Sequence, residues 1–207
     1  MGEGLKQCIR LSQGIFRRLR RWKYGWNRWV TWPQRVTRKL TLAPKVRLYV
    51  PLRCDGDGHV EIAEGSKMGG RNSVRYGDGT ILLQARDPKS HIRIGKNCAF
   101  SNNVSIISME SVEIGDDCLI GELVSIMDSD FHGIDSDKRR SDFVHSAPVK
   151  LENNVWLGSR VIVQKGVTIG ANSIITPNAV VTSSVPPNTI AGGIPAKVIR
   201  SIVRDSG

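Results

Sequence analysis

The chain has 207 residues, 40% of them hydrophobic and 24% charged, which suits one folded domain with decoration and excludes a disordered or fibrous protein. Its net charge of +11 is concentrated in the first 53 residues, which hold 14 Lys/Arg and one acid, Glu3; the remainder holds 16 basic and 18 acidic residues, a net of −2. Four cysteines without a Cys-x-x-Cys pair argue against a disulfide framework and a zinc ribbon, and no apolar run approaches the ~18 residues of a membrane span. The N-terminus also lacks the uninterrupted apolar core and small-residue cleavage site of a secretory signal, which predicts a cytoplasmic protein.

The first predicted element is a helix in the basic segment 1–53. Cys8, Leu11, Ile15, Leu19, Trp22, Trp26 and Trp29 recur at steps of three and four, one face of a helix. Arg17, Arg18, Arg20, Arg21, Lys23 and Arg28 fill the remaining surface, and Pro33 ends the pattern. Trp and Arg together suit the headgroup region of an anionic membrane surface, which predicts peripheral attachment to the cytoplasmic face. A helix capping the open end of the body is the alternative; nothing downstream reads bases, so no nucleic-acid partner is expected.

From residue 54 to 191 the sequence repeats. Ile94, Phe100 and Ile106 keep a sixfold period, Ile114, Ile120 and Ile126 resume it after two extra residues, and fainter echoes of it stand upstream at Ile62, Met68 and Val74. Leu151, Leu157, Val163, Ile169, Ile175 and Val181 then run without a miss. Four residues after each of these six comes Val155, Val161, Val167, Ser173, Ala179 and Val185, and three residues after stand Asn154, Arg160, Gly166, Asn172, Asn178 and Ser184. Asn and Gly tolerate the left-handed backbone of a tight corner. A period of six belongs to neither a helix nor an ordinary strand; it predicts an all-β parallel solenoid, three hexads to a triangular coil and five to six coils in all. Cys98 and Cys118 occupy the small inward position, which predicts reduced thiols stacked in one interior column.

The period breaks at 128–148, an ejected loop containing Asp128-x-Asp130-x-His132, Lys138-Arg139-Arg140 and His145. Solenoids eject loops where function resides. Asp128 and Asp130 read as solvated loop charges, and His59, His91 and His145 as spectators. Trp156, one residue before the inward Leu157, is expected to point outward. Residues 192–207 form a C-terminal tail carrying GGIPAKVIR.

The stretch from His132 to Pro148, NNVWLGS at 153–159 and GGIPAKVIR at 192–200 together resemble the hexapeptide-repeat acyltransferases, in particular the galactoside and maltose O-acetyltransferases and their polysaccharide-modifying relatives. The resemblance covers roughly residues 92–203 and leaves out the basic segment. It implies a left-handed parallel β-helix, a homotrimer, and acetyl-CoA held in a groove between adjacent subunits. It implies His132 as general base and Asn102 as an active-site residue contacting substrate, with Glu110 where those enzymes place a sugar-binding Asp. Trp156 then lies beside the pantetheine, Ser159, Pro177 and Thr182 line the groove, and Lys197 and Arg200 reach coenzyme phosphates. Two departures stand out: Thr176-Pro177-Asn178 replaces Gly-Ala-Gly, and Ser183 replaces Lys. Pro177 has no N–H, so a pantetheine contact there must use its carbonyl.

The chemistry that follows is O-acetyl transfer from acetyl-CoA to a sugar hydroxyl of a surface polysaccharide or lipid-linked glycan precursor. A hydroxyl is a weak nucleophile at neutral pH, and an imidazole can take its proton during attack on the thioester. N-acetylation of an amino sugar and a non-catalytic scaffold are the alternatives. Zinc chemistry needs three converging histidines, and His91, His132 and His145 lack the spacing; no metal is expected.

Overall fold

The computed structural model describes residues 39–70, 79–140 and 144–202. The helix expected in the basic segment and the faint repeat at Val74 lie outside the described residues. Within them, twenty short strands, β1 to β20 in chain order, form three sheets that are the faces of a triangular prism. Face I holds β1 (Leu40–Leu42), β4 (His59–Ile62), β7 (His91–Ile94), β10 (Ser111–Ile114), β13 (Val149–Leu151) and β16 (Thr168–Ile169). Face II holds β2 (Arg47–Leu48), β5 (Lys67–Met68), β8 (Ala99–Phe100), β11 (Leu119–Ile120), β14 (Trp156–Leu157), β17 (Ile174–Ile175) and β19 (Thr189–Gly193), closed by β20 (Ala196–Ser201). Face III holds β3 (Leu52–Asp55), β6 (Ile81–Ala85), β9 (Ser105–Ser108), β12 (Ser125–Met127), β15 (Ile162–Val163) and β18 (Val180–Val181). The chain visits the faces in the order I, II, III, six times.

Every pairing is parallel except the terminal β19–β20 hairpin, which carries the GGIPAKVIR tail back across face II. The sixfold apolar series lies inside: Leu151, Leu157, Val163, Ile169, Ile175 and Val181 are all buried, as are the four-residue-later Val155, Val161, Val167, Ser173, Ala179 and Val185. Each fully buried aliphatic side chain contributes on the order of 1.5–3 kcal/mol, and stacking them coil on coil makes one continuous core.

The coil already includes Leu40, fourteen residues before the expected boundary at 54. Leu40, Leu48 and Leu52 are buried and belong to the first described turn, so part of the charge-rich segment is solenoid. Its period is hidden because the corner at 56–58 and the long connection from Gly69 to Thr80 offset successive hexads.

The corners take the left-handed conformation. Asn97, Asn103, Asn154, Asn172 and Asn178 have φ between 55° and 61°, and Arg160, a departure from the Asn/Gly pattern, adopts φ 62°. Along the edge between faces I and II the corner side chains bond to one another: Asn97 Nδ2 donates to Asp117 Oδ1 at 3.2 Å, Asn154 Nδ2 to Asn172 Oδ1 at 3.0 Å and Asn172 Nδ2 to Asn188 Oδ1 at 2.9 Å. This ladder offsets the roughly 1 kcal/mol that each non-Gly residue loses in that conformation.

Cys98 and Cys118 occupy one interior column with Ser66, Val155 and Ser173, the residues that enter face II. Cys98 Sγ donates to the Gly115 carbonyl at 3.1 Å and Cys118 Sγ to the Glu152 carbonyl at 3.2 Å. A carbonyl only accepts, so both sulfurs keep their protons. Bonding within the pair and burial push the Cys98 thiol up, and burial pushes Cys54 up to about 12. All three are free thiols. In a Cys8→Ser protein, Ellman's reagent should therefore find no fast-reacting thiol until denaturant is added; rapid labelling of the folded protein would contradict the column.

Candidate functional site

The loop 128–148 leaves the prism between β12 and β13, at the edge where face III turns into face I. Its first residue anchors it. Asp128 is fully buried, and its carboxylate accepts from Ser108 Oγ at 2.7 Å, Met109 N at 2.7 Å and Glu110 N at 2.8 Å. These donors belong to the same edge one coil earlier, so the charge is met by three fixed donors. Asp130 pairs with Lys165 Nζ on the following coil. Asp128 and Asp130 are thus not the solvated charges expected; they tie the loop to the coils on either side.

Three further contacts shape the loop. Ser129 and Ser146 form an antiparallel bridge across its neck. Ser146 Oγ donates to Glu110 Oε2 at 3.0 Å. Phe131, at φ 60°, lies beneath the Arg86 guanidinium, 4.6 Å from ring centroid to cation. The next residue, His132, is exposed, and its Nδ1 lies 3.1 Å from the Arg139 carbonyl oxygen. Because that oxygen only accepts, Nδ1 carries the proton of this contact and Nε2 is left as the nitrogen able to accept one.

The remaining candidates fall on two different edges. Glu110, His132 and Thr182 lie along the III–I edge. Asn102, Ser159 and Pro177 lie along the II–III edge, with Trp156 beside them on face II and Lys197 and Arg200 at that face's C-terminal end. Asn102 is fully buried and its Oδ1 accepts from Gly70 N at 3.1 Å, bracing the start of the Gly69–Thr80 connection. Ser159, Pro177 and Thr182 are exposed. Pro177 stacks directly on Gly158, where a Cβ would stand 2.6 Å from the proline nitrogen, so glycine is required there. One protomer thus keeps His132 on one edge and Asn102, Ser159 and Pro177 on another.

A groove of about 500 Å³ runs along face II from Arg47 and Lys67 to Trp156, beside Asn102; Ser159 and Pro177 lie outside its lining. Trp156, 50% exposed, and Leu119, 49% exposed, give it an apolar floor. Lys197 and Arg200, both exposed, lie beyond it on β20. An apolar floor ending in cations fits an extended ligand with a flexible apolar arm and an anionic terminus. Among the described residues, no three His, Cys, Asp or Glu side chains gather where they could hold a metal ion.

Replacing Asp128 with Ala should leave Ser108 Oγ and two N–H groups at this edge without their acceptor. The expected loss is about 2–4 kcal/mol, read by urea unfolding, with the Asn substitution costing less because its amide oxygen still accepts. An Ala variant as stable as wild type would remove Asp128 as the anchor.

Comparison with known proteins follows the same lines. Residues 148–183 match the bacterial transferase hexapeptide (six repeats) family model, and residues 91–122 match the hexapeptide repeat of succinyl-transferase. The chain is 40% identical over 113 residues to galactoside O-acetyltransferase of Escherichia coli K12, covering 55% of each chain. It thus spans about half the length of the first curated relatives it matches. It is 32% identical over 160 residues, covering 72% of this chain and 76% of the relative, to a protein of the same organism described as a putative lipopolysaccharide biosynthesis O-acetyl transferase, WbbJ. A solved galactoside acetyltransferase in complex with coenzyme A superposes with a TM-score of 0.55 at 32% identity, covering 73% of this chain and 66% of that one. The repeat, the coil it builds and a relative matched over three quarters of its length lead to one conclusion: this chain belongs to the hexapeptide-repeat acetyltransferase family.

Proposed function

We propose that the protein is an acetyl-CoA-dependent O-acetyltransferase acting on a sugar hydroxyl of a surface polysaccharide or of its lipid-linked precursor. The observation that carries this reading is the fixed tautomer of His132. Its Nδ1–H is committed to the Arg139 carbonyl at 3.1 Å, so Nε2 is available as a base on a loop anchored at both flanks. Acetyl-CoA, when bound, supplies an activated acyl group as its thioester. Trp156 and Leu119 offer the apolar surface for its pantetheine arm, Ser159 and Pro177 border it, and Lys197 and Arg200 offer donors to its phosphates. His132 Nε2 takes the proton of the acceptor hydroxyl as the oxygen attacks, then holds that proton for the leaving sulfur. No covalent intermediate on the enzyme is required. The relatives' names supply the acceptor class: one is a galactoside O-acetyltransferase, another a putative lipopolysaccharide O-acetyl transferase.

The separation of candidates between two edges supports a trimer, wound left-handed as the family resemblance implies. The III–I edge of one protomer, bearing His132 and Glu110, faces the II–III edge and face II of the next, bearing Asn102, Trp156, Ser159 and Pro177. Glu110, held by Ser146, then borders the acceptor, Asn102 stands buried behind the Gly70 backbone that it braces rather than on the acceptor surface, and Thr182 joins the groove from the edge of His132.

Replacing His132 with Ala should lower acetyl transfer about 10²–10⁴-fold while coenzyme A binding stays close to wild type. Steady-state rates and calorimetric titration read the two quantities separately. Full activity in a folded His132→Ala protein would remove His132 as the base.

We also propose that the basic Trp/Arg-rich segment holds the trimer on the cytoplasmic face of an anionic membrane. Residues 1–39, ahead of β1, carry +10, and this charge with the Trp22, Trp26 and Trp29 series supports the proposal; the body from Leu40, at +1, has little charge reason to seek such a surface. Full-length protein should co-sediment with anionic vesicles at low salt and less so at high salt. Protein lacking residues 1–32 should stay in the supernatant as a soluble trimer. Aggregation on truncation, with no vesicle binding by the full chain, would instead make the segment an end cap.

A further inference from the structure

The outward residues of faces I and II differ in kind. On face I the column in strand register is Thr41, Glu61, Arg93, Glu113, Lys150 and Thr168. Its charges alternate, and Arg93 lies 3.9 Å from Glu61 and 3.6 Å from Glu113. This face neutralises itself. On face II the column is Arg47, Lys67, Ala99, Leu119, Trp156, Ile174, Ile190 and Arg200. No acid interrupts it. It is apolar through the middle and cationic at both ends.

The C-terminal cations have an assigned use in the reading above. The N-terminal pair does not. Arg47 and Lys67 are exposed, stand on adjacent strands in direct register, and line the same groove as Trp156. Among the described residues neither forms an ion pair or a side-chain hydrogen bond. Like charges directly opposite each other on neighbouring strands repel, and their alignment at one end of a groove concentrates positive potential there. Such a pair stabilises an anion brought between them, because both cations donate charge-assisted hydrogen bonds to it.

Register sets the distance. Strands lie about 4.8 Å apart, so Lys67 is about 14 Å and Arg47 about 19 Å from Trp156 along the column. Lys67 is one step from the coil that carries Asn102, the buried residue that braces Gly70 at the groove wall. An acceptor whose reacting hydroxyl lies near the Asn102 coil therefore places its own ring, or the adjoining sugar, against Lys67 and Arg47. Resting on the acetyl-transfer reading above, we propose that Arg47 and Lys67 form an anion subsite that selects an acceptor glycan bearing a carboxylate or phosphate within one sugar unit of the acetylated hydroxyl. Face II then carries cations at both ends of its column: Arg47 and Lys67 in the groove for the acceptor anion, and Lys197 and Arg200 beyond the groove on β20 for coenzyme phosphates, with the acyl transfer between them.

The test uses the full-length protein and an Arg47→Gln/Lys67→Gln double variant with three acceptors on one glycan backbone: neutral, hexuronate-bearing and phosphate-bearing. Wild type should favour one anionic acceptor over the neutral one by about tenfold or more in kcat/KM, and which one identifies the source of the anion. The double variant should lose that preference through KM, with the KM for acetyl-CoA held, and high salt should erode the wild-type preference in the same way. Calorimetric titration of the same three glycans without acetyl-CoA needs no turnover. Anion-dependent binding that the variant loses upholds the subsite even if no acetyl transfer occurs, which separates the two readings. The proposal is overturned if wild type ignores the acceptor's charge in both assays, if the variant weakens neutral and anionic acceptors alike, or if it dissociates the oligomer, which would make the pair an intersubunit contact.

Discussion

In-register stacking of parallel coils is the constraint on which the rest of this molecule depends. Each strand gives its N–H groups to the carbonyls of the next coil, as Leu119 N does to Val155 O and Trp156 N to Ser173 O, both at 2.9 Å. Parallel pairing without slippage turns a sixfold sequence period into straight columns of side chains. A residue's place in its hexad then decides its face, its edge and whether it points in or out. Coils also approach one another too closely at the corners for extra atoms: a Cβ on Gly121 would stand 2.6 Å from the Gly158 carbonyl carbon, just as one on Gly158 would strike Pro177. Chain that does not fit this packing leaves the prism, and among the described residues the main departure is the loop between β12 and β13 at the III–I edge.

The candidate residues gather on two edges of the prism. The II–III edge carries Asn102, Ser159 and Pro177 beside the apolar floor of face II, a surface shaped for a long ligand. The III–I edge carries a histidine whose tautomer is set by a backbone carbonyl and whose loop is held by a buried carboxylate. Straight columns make both edges rigid, and rigidity is what a base and an activated acyl group need if they are to meet in one geometry. They also keep the two edges of a single chain apart, which is why assembly is built into the proposed mechanism.

Much of the coil could be read from residue pattern alone. The run from Leu151 to Val185 identifies its inward positions without error, and Trp156 could be turned outward because it precedes an inward leucine. The same rule, applied to Arg47 before Leu48 and Lys67 before Met68, marks those cations as outward on face II; they are hard to see because the 56–58 corner breaks the period between them. The place of Leu40 in the coil was hidden for the same reason, under the strong charge signal of its neighbourhood. Asp128 looked like an ordinary loop acid because its partners, Ser108 and the N–H groups of Met109 and Glu110, are 18 to 20 residues away and two of them are backbone. The Arg139 carbonyl that orients His132 has no side-chain signature either. Periodicity reports the columns; it cannot report which backbone groups a departing loop will find.

The central claim is that the site is shared between protomers, and subunit mixing tests it most directly. Chains carrying His132→Ala and chains carrying Trp156→Ala, each inactive alone, would be co-expressed with separate tags and the mixed trimers purified through both. If His132 of one chain serves the face II groove of its neighbour, every mixed trimer restores one intact pair among its three sites, and activity should return to about a third of wild type. Mixed trimers no more active than either parent would contradict the account and place both residues in one protomer's site.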